Sequence, residues 1–359
     1  MSVLAAITVI ALLIFVHESG HFLAARLQGI HVNRFSIGFG PVLWKYQGPE
    51  TEYALRAIPL GGFVGFPDDD PESQIPRQDP DLLRNRPVLD RAIVISAGVI
   101  ANLLFAYLVF VVQFASVGVP SGFDPEPGIA IPQVMSETSP AAQAGLKAGD
   151  VILSADGEFF DSLESFVDLI QDNPEQPINL TVQRSDQTLD LTVVPETNSE
   201  GKSVIGVQLQ RNGTMQYRRA DNVLEMFTLA AEEFQSMFLQ TVQGFAMLIT
   251  NFSQMAGQVS GPVAIVEQGA NLASSNVATL FPFTAIISIN LAIINILPLP
   301  ALDGGQLAFL LVEALRGKPL PDRLQENVMQ TGLVLLLGLG VFLIVRDTTQ
   351  LQIFQNLLQ

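Results

Sequence analysis

Four long apolar runs divide the sequence. They cover residues 2–16, with the helical pattern continuing to about Leu27, and then residues 92–119, 280–300 and 331–345. About 20 apolar residues in a helix span the hydrocarbon core of a bilayer. The pattern therefore predicts a polytopic α-helical membrane protein with four transmembrane helices, the fourth of them somewhat short.

The stretch between the second and third runs has a different pattern, in which short β-like pieces alternate with two helix-like pieces. The strand-like pieces are GIAIPQVM, DVILSAD, INLTVQ, LDLTVV and SVIGVQL, and the helix-like pieces are SPAAQAG and SLESFVDLIQD. Ser139 is placed to cap a short helix with Pro140 in its first turn, and Gly145 is placed to end it. We therefore expect a small α+β domain inserted between the membrane helices.

Residues 222–258 carry an amphipathic pattern. Phe227, Phe234 and Phe245 recur at helical spacing against polar positions such as Glu232. Such a helix can lie on the outer membrane surface or pack on the small domain, and the sequence leaves both open. The predicted organisation is a first membrane part at 1–119, the inserted domain at 120–210, a linker with the amphipathic helix at 211–279, and a second membrane part at 280–359.

Composition supports the membrane assignment and excludes other classes. Only 15% of the residues are charged, whereas a soluble protein has about 25%. The net charge of −17 argues against a nucleic-acid partner, because phosphate binding requires a basic surface. The chain has no cysteine, which excludes disulfides, zinc–thiolate sites and cysteine nucleophiles.

Basic residues beside the apolar runs predict the orientation. The relevant arginines are Arg26 and Arg34 after the first run and Arg84, Arg86 and Arg91 before the second. Because basic loops stay in the cytoplasm, residues 28–90 are predicted to be cytoplasmic, with the N-terminus and the inserted domain on the outer side. The first run lacks the basic start of a signal peptide, so we expect it to be retained as a membrane helix.

The first apolar run contains the sequence HESGH at residues 17–21. On a helix, His17 and His21 lie on one face, where both imidazoles can hold one metal ion while Glu18 acts on a metal-bound water. Ionisable residues within membrane helices are rare and usually functional. This location favours a metal site over two hydrogen-bonded core histidines.

A catalytic zinc site needs a third protein ligand. His31 follows His21 by ten residues and lies beyond Gly29, which is placed to end the helix, so we expect a surface histidine there. Asp303, at the end of the third run, is the better candidate. His17 lies roughly 22 Å along the first helix at about 1.5 Å per residue, which places it in the cytoplasmic third of the bilayer, and Asp303 reaches a similar depth.

The combination of HESGH with NILPLPALDGG at 295–305 resembles the site-2 protease family, peptidase family M50, whose members are intramembrane zinc metalloproteases. Further stretches support the resemblance, namely FSIGFGP, RAIPLGGFVGF, SGPVAIV and a segment at about 127–197 that is similar to a PDZ domain. The resemblance covers nearly the whole chain. It is closest in arrangement to bacterial members with a single PDZ domain.

The resemblance implies roles for individual residues. It makes His17, His21 and Asp303 the ligands of Zn²⁺ and Glu18 the catalytic base. The residues it places beside the substrate are Asn295, Pro298 and Pro300. Gly98-Val99 precedes Asn102 where many relatives have Gly-Pro before the asparagine of this span, so the resemblance leaves the role of Asn102 open.

The stretch RAIPLGGFVGF resembles the membrane-associated β-hairpin of that family. An extended substrate can add to the edge of a protein sheet, and we expect Gly61, Gly62, Phe63 and Val64 to supply that edge. A simple cytoplasmic turn is the alternative interpretation of the same residues.

The function implied by the resemblance is zinc-dependent hydrolysis of peptide bonds within or near the span of single-span membrane proteins, such as an anti-sigma factor. The expected partners are those substrates, the lipid bilayer, and a peptide or a substrate's outer domain at the PDZ domain. The expected location is a bacterial plasma membrane, with a plastid envelope or thylakoid as the alternative. Two other functions remain open, a catalytically inactive PDZ-containing scaffold and a membrane zinc transporter, although no internal repeat favours a transporter.

Overall fold

The computed structural model describes residues 2–70, 73–136, 138–160, 162–185, 187–198, 201–252, 259–275 and 277–350. The chain divides into two compact units, a first unit of residues 1–119 with 219–359 and a second unit of residues 120–218. The helices are α1 Ser2–Leu27, α2 Val88–Ser116, α3 Pro140–Gln143, α4 Leu163–Asp172, α5 Val223–Thr250, α6 Pro262–Ser275, α7 Leu280–Ile296, α8 Asp303–Arg316 and α9 Asp322–Gln350. The strands are β1 Arg34–Gln47, β2 Glu52–Gly65, β3 Val119–Val134, β4 Asp150–Ala155, β5 Glu158–Phe159, β6 Ile178–Arg184, β7 Gln187–Val193, β8 Glu196–Thr197, β9 Ser203–Val204 and β10 Val207–Arg218.

Among the described residues of the first unit, three helices are long and apolar enough to cross a membrane. These segments are Val3–Leu27, Val88–Ser116 and Arg323–Thr349. Helix α7, in the predicted third span, is shorter, with 17 residues. It ends at Ile296 because the residue before a proline is pushed out of the helical region, and Leu297 before Pro298 is extended. Helix α9, by contrast, extends well beyond its predicted apolar run of 331–345.

Helices α1, α5, α7 and α8 of the first unit pack against α2. Gly20 of α1 lies against α2, where a Cβ at this position would come within 2.8 Å of the Ala101 Cβ. On another side of α2, a buried core joins it to α5 and α7, and its members include Phe110, Ala230 and Ile289. Small residues at such crossings let helix backbones approach closely. Helix α2 is therefore the element against which the HESGH helix is positioned.

The amphipathic segment forms helix α5 within this unit. Ala230 is fully buried in the core shared with α2 and α7, and the Tyr107 hydroxyl donates a hydrogen bond to the Phe227 carbonyl at 3.3 Å. Large apolar side chains such as Val223 and Leu224 remain exposed on the same helix. Residues 253–258, the end of the predicted segment, lie outside the described residues.

Strands β1 and β2 form a sheet in which each strand is bent and pairs through both of its halves. Residues 34–37 of β1 pair in parallel with residues 52–55 of β2 and, on their other side, in the opposite direction with residues 62–65. The second half of β1, residues 42–47, folds back along residues 52–56. Among the described residues, the segments 62–65 and 42–47 therefore lie at the two opposite edges of this sheet.

The second unit is built on a six-stranded sheet with the strand order β10-β3-β4-β6-β7 and β5 paired to β4, and β8 and β9 form a separate two-stranded sheet. Its core is apolar and closed by α3 and α4, with Phe166, Ile152 and Val182 fully buried. The Ser139 side chain accepts a hydrogen bond from the Ala142 N–H at 3.2 Å and so caps α3. The buried Asp150 carboxylate accepts hydrogen bonds from Arg184 at 2.7 and 2.8 Å, which ties β4 to β6.

Candidate metal centre

Helix α1 presents its two histidines together. His17 and His21 are one helical turn apart, and their Nε2 atoms lie 3.2 Å from each other. His17 and Glu18 are each only 8% exposed. The helical period alone places the two imidazoles on one face, and packing against α2 then buries that face.

Asp303 enters the same place from the other end of the chain. Its Oδ2 lies 3.3 Å from the His17 Nε2 and 3.4 Å from the His21 Nε2. The aspartate is the first residue of α8 and follows the tight turn after α7. In that turn Ala301 has a φ of +68°, a conformation that costs a non-glycine residue free energy. The structure thus brings together the three residues that the sequence named as metal ligands.

Two glycines allow the turn before α8 to close. A Cβ on Gly304 would lie 2.5 Å from the carbonyl carbon of Ile296, and one on Gly305 would lie 3.0 Å from that of Leu299. Neither distance is compatible with a side chain, so the glycines let the first turn of α8 lie on the end of α7. The sequence Leu-Asp-Gly-Gly therefore supplies both the carboxylate and the two glycines that the backbone packing requires.

An ion pair fixes α8 against α2 further along the helix. Glu313 and Arg91 form a two-point contact in which one guanidinium nitrogen, Nη1, donates to the Glu313 Oε2 at 3.1 Å. The two side chains are only 15% and 16% exposed. A paired guanidinium and carboxylate is geometrically specific, so this contact restricts where the N-terminal end of α8, and with it Asp303, can lie.

The three ligand atoms fit a tetrahedral metal site. Zinc binds histidine nitrogen and carboxylate oxygen at about 2.0–2.1 Å, which separates two ligands of a tetrahedron by about 3.3–3.4 Å. The measured separations of 3.2, 3.3 and 3.4 Å match this value. The buried Asp303 Oδ2 has no well-formed hydrogen bond to any described residue, which is unusual for a buried polar atom. Two imidazoles and a carboxylate are also a donor set that zinc accepts.

Helix α2 supplies the layer behind the histidines. The His21 Nδ1 lies 2.8 Å from the Val94 carbonyl oxygen, and the His17 Nδ1 lies 3.3 Å from the side-chain nitrogen of Asn102. A Cβ on Gly98 would come within 2.7 Å of His21 and 2.8 Å of His17. Sequence reasoning missed Val94 and Gly98. The only signal was the small-residue stretch Ser-Ala-Gly in an otherwise bulky membrane helix.

The predicted strand-edge residues lie beside Glu18. A Cβ on Gly62 would come within 2.9 Å of the Glu18 Cγ, so the backbone of this edge passes directly over the glutamate. Gly61 adopts a φ of +95°, which a glycine tolerates and other residues resist. Val64 pairs with Phe35, and the Phe63 ring lies 5.7 Å from the Arg56 guanidinium carbon.

The three residues that the resemblance placed beside substrate have different surroundings. Asn295 and Pro300 are half-buried, and Pro298 is exposed. Pro300 packs against Gly332 of α9 and lines an apolar cavity of about 350 Å³ between α9 and the turn before α8. None of the three candidate metal ligands lines this cavity.

A second group of possible ligands surrounds His31. The group comprises His31, Asp79 and Asp81, and the His31 Nε2 lies 3.7 Å from the Asp79 Oδ1. Both carboxylates already have partners, since Asp79 accepts from the Asp81 N–H at 2.9 Å and Asp81 from Arg86 at 3.1 Å. The hydrogen bonds of Asp79 and Asp81 account for this cluster without a metal. Nearby, a hydrogen bond from Arg26 lowers the pKa of Glu50.

Comparison with known proteins gives one family. The sequence profile of Peptidase family M50 matches residues 5–339. A relative in Nostoc sp., assigned by its name to the zinc metalloproteases, is 62% identical over 98% of this chain and 97% of its own length. The chloroplastic membrane metalloprotease ARASP of Arabidopsis thaliana is 48% identical over 99% of this chain and 81% of its own length. Protease RseP of Yersinia pestis is 32% identical over 95% of this chain and 97% of its own length.

Among solved structures, a PDZ domain of the SdrC-like protein from Listeria monocytogenes is similar to part of the chain. It is 26% identical and covers 25% of this chain and 93% of that domain, with a TM-score of 0.22.

Proposed function

The chain belongs to peptidase family M50 and is a metalloprotease of that family, and we propose that it is a zinc-dependent endopeptidase that cleaves single-span membrane proteins within or near their spans. The observation that carries the proposal is the triangle of two imidazole nitrogens and one carboxylate oxygen with sides of 3.2–3.4 Å. Zinc fits both this triangle and this donor set.

The residues divide the chemistry between them. His17, His21 and Asp303 would hold the zinc ion, which when bound supplies a Lewis acid for water and the scissile carbonyl. A Glu18 carboxylate oxygen accepts a proton from the attacking water and then passes it to the amine nitrogen of the leaving segment. Gly98 of α2 leaves room for both imidazoles, since a Cβ there would lie 2.7 Å from the His21 Cε1 and 2.8 Å from the His17 Cε1.

The proposed topology has four membrane crossings. Helix α7 is 17 residues long, which is about 26 Å at about 1.5 Å per residue, and with the turn that follows it approaches the thickness of the hydrocarbon. Arginines before α2 and after α1 assign residues 28–90 to the cytoplasm. The N-terminus and residues 120–218 then lie on the outer face of a bacterial plasma membrane, with the metal centre towards the cytoplasmic side.

A substrate that is cleaved within the membrane must expose unpaired backbone groups. A peptide bond can be attacked only in an extended segment, and each unpaired polar group costs several kcal/mol in hydrocarbon. The edge segment 62–65 offers free strand positions immediately beside Glu18. We propose that the substrate pairs with this edge, which would satisfy its backbone and place the scissile bond next to the base.

The edge can be tested with proline. We expect Val64→Pro to lower turnover at least about tenfold without loss of zinc, because a proline removes one backbone N–H from the edge. Val42→Pro, at the opposite edge of the same sheet, is the matched control and should keep turnover within about twofold of the wild type. Turnover and zinc content of each variant are measured after reconstitution. Unchanged turnover in both Val64→Pro and Phe63→Pro would rule out this pairing.

Residues 120–218 would act as a PDZ domain on the outer side. Their strands and two short helices agree with the α+β pattern of the sequence, which resembles a PDZ domain. PDZ domains bind peptides by strand addition. We propose that this unit meets a peptide or the outer domain of the substrate, and that an anti-sigma factor is one such substrate. The unit would then admit substrates whose outer domain has already been trimmed.

The proposed activity depends on a removable metal. We expect the purified chain in lipid vesicles to cleave a single-span protein with a trimmed outer domain, and a strong chelator to lower the rate at least about 100-fold. Stoichiometric zinc should restore cleavage, whereas magnesium should not, since its preferred ligands are oxygen atoms. Undiminished cleavage by a chain freed of zinc would contradict the proposal, as would a zinc-loaded chain that leaves the substrate intact.

A further inference from the structure

Two residues of α2 lie next to the Nδ1 atoms of the two candidate histidine ligands. Both histidines direct Nε2 towards Asp303, and each therefore turns Nδ1 towards α2. A neutral histidine that binds a metal through Nε2 carries its proton on Nδ1. The residue facing each Nδ1 must then accept a hydrogen bond, and such acceptors fix the ring orientation.

The two histidines meet this requirement in different ways. For His21 the acceptor is the Val94 carbonyl oxygen at 2.8 Å, a backbone group that any residue at position 94 would provide. For His17 the contact is the amide of Asn102, with the side-chain nitrogen at 3.3 Å. Asn102 is fully buried, and its Oδ1 has no partner among the described residues.

An asparagine amide presents nitrogen and oxygen with nearly the same shape, and the hydrogen-bond network decides which end faces a neighbour. If Oδ1 faces His17, one rotation satisfies both the Nδ1–H donor and the unpaired buried acceptor. The backbone of Asn102 has a contact of its own that does not involve the amide, since its carbonyl oxygen accepts a hydrogen bond from the Ser288 hydroxyl of α7 at 2.8 Å.

We propose that Asn102 is a positioning residue whose Oδ1 accepts a hydrogen bond from Nδ1–H of His17 and so keeps its Nε2 free for zinc. This inference rests on the proposed zinc site and adds a requirement to it. The side chain at position 102 must accept a hydrogen bond, and its volume alone is not sufficient.

The experiment compares zinc affinity by chelator competition in the full chain. We expect Asn102→Leu, which keeps the branching and the number of side-chain heavy atoms but removes the acceptor, to weaken zinc binding about 10–100-fold. Asn102→Asp restores an acceptor at the same atom and should bind zinc within about threefold of the wild type. Ser288→Ala, which removes only the bond to the backbone carbonyl, serves as the control and should also remain within about threefold.

A second measurement separates positioning from packing. The visible absorption bands of the Co²⁺-loaded chain report ligand geometry, and we expect them to change in Asn102→Leu and to return in Asn102→Asp. Wild-type affinity in Asn102→Leu would overturn the inference, as would an equal loss in Asn102→Asp. A wild-type chain that binds no zinc would overturn the proposed function itself, so the two failures are distinguishable.

Discussion

Glu18→Gln is expected to lower kcat for peptide-bond hydrolysis by about 10²–10⁴-fold while the zinc remains bound. Glutamine has nearly the same shape as glutamate but cannot accept a proton from the attacking water. The side chain is 8% exposed and lies under the Gly62 backbone, so this position has little access to buffer bases that could replace it. Cleavage of a reconstituted single-span protein and zinc content in the same sample measure the two effects together.

The control for this variant is Glu50→Gln. Glu50 is also a glutamate of the first unit, but its side chain is 58% exposed and paired with Arg26. Its loss should leave both kcat and zinc content unchanged, because an exposed ion pair contributes little. Wild-type turnover by Glu18→Gln would refute the assignment of the base, and loss of zinc would show that Glu18 is required for metal binding.

Asp303→Ala is expected to weaken zinc binding by more than about 100-fold, beyond the loss that follows removal of an outer hydrogen-bond partner. The variant removes the carboxylate oxygen from the set of three ligand atoms, and two histidines alone are too few protein ligands for a zinc site. Hydrolysis should disappear together with the metal, in contrast to Glu18→Gln. Zinc per chain after dialysis against a chelator is the decisive measurement.

Glu164→Ala is the matched control for Asp303→Ala, since Glu164 is likewise an acidic residue in the first turn of a helix. Its loss should remove only a solvent-exposed interaction with the helix dipole and should leave zinc affinity unchanged. If Asp303→Ala kept its zinc, the ligand set would have to be assigned anew, and the proposed mechanism would fail with it.

Much of the organisation is local and could be predicted from the sequence. A long apolar run with few charges satisfies its backbone in lipid as a helix, and the described residues contain three helices of sufficient length and apolar character. In the inserted domain, Gly145 and Gly149 adopt positive φ in the connection between α3 and β4. The sequence could suggest a metalloprotease because His17, Glu18 and His21 are close together in the chain, and the family comparison confirms that assignment.

Other features depend on contacts that no local pattern specifies. The double pairing of β1 residues 34–37 with both halves of β2 joins segments that the sequence suggested only as a hairpin. The place of α5 against α2 and α7 likewise follows from packing. An amphipathic pattern shows that one face is apolar, but it does not identify the surface that covers that face.

The candidate site likewise contains residues that a local pattern brings together and residues that only tertiary contacts bring together. The sequence by itself determined that His17, Glu18 and His21 share one region of a helix, because a fixed helical period relates them. Only the tertiary structure decided that Asp303, 282 positions after His21, reaches them at 3.3–3.4 Å, and that Val94, Gly98 and Asn102 form the layer behind them. Such distances depend on how helices cross, which is set by side-chain packing along their whole length.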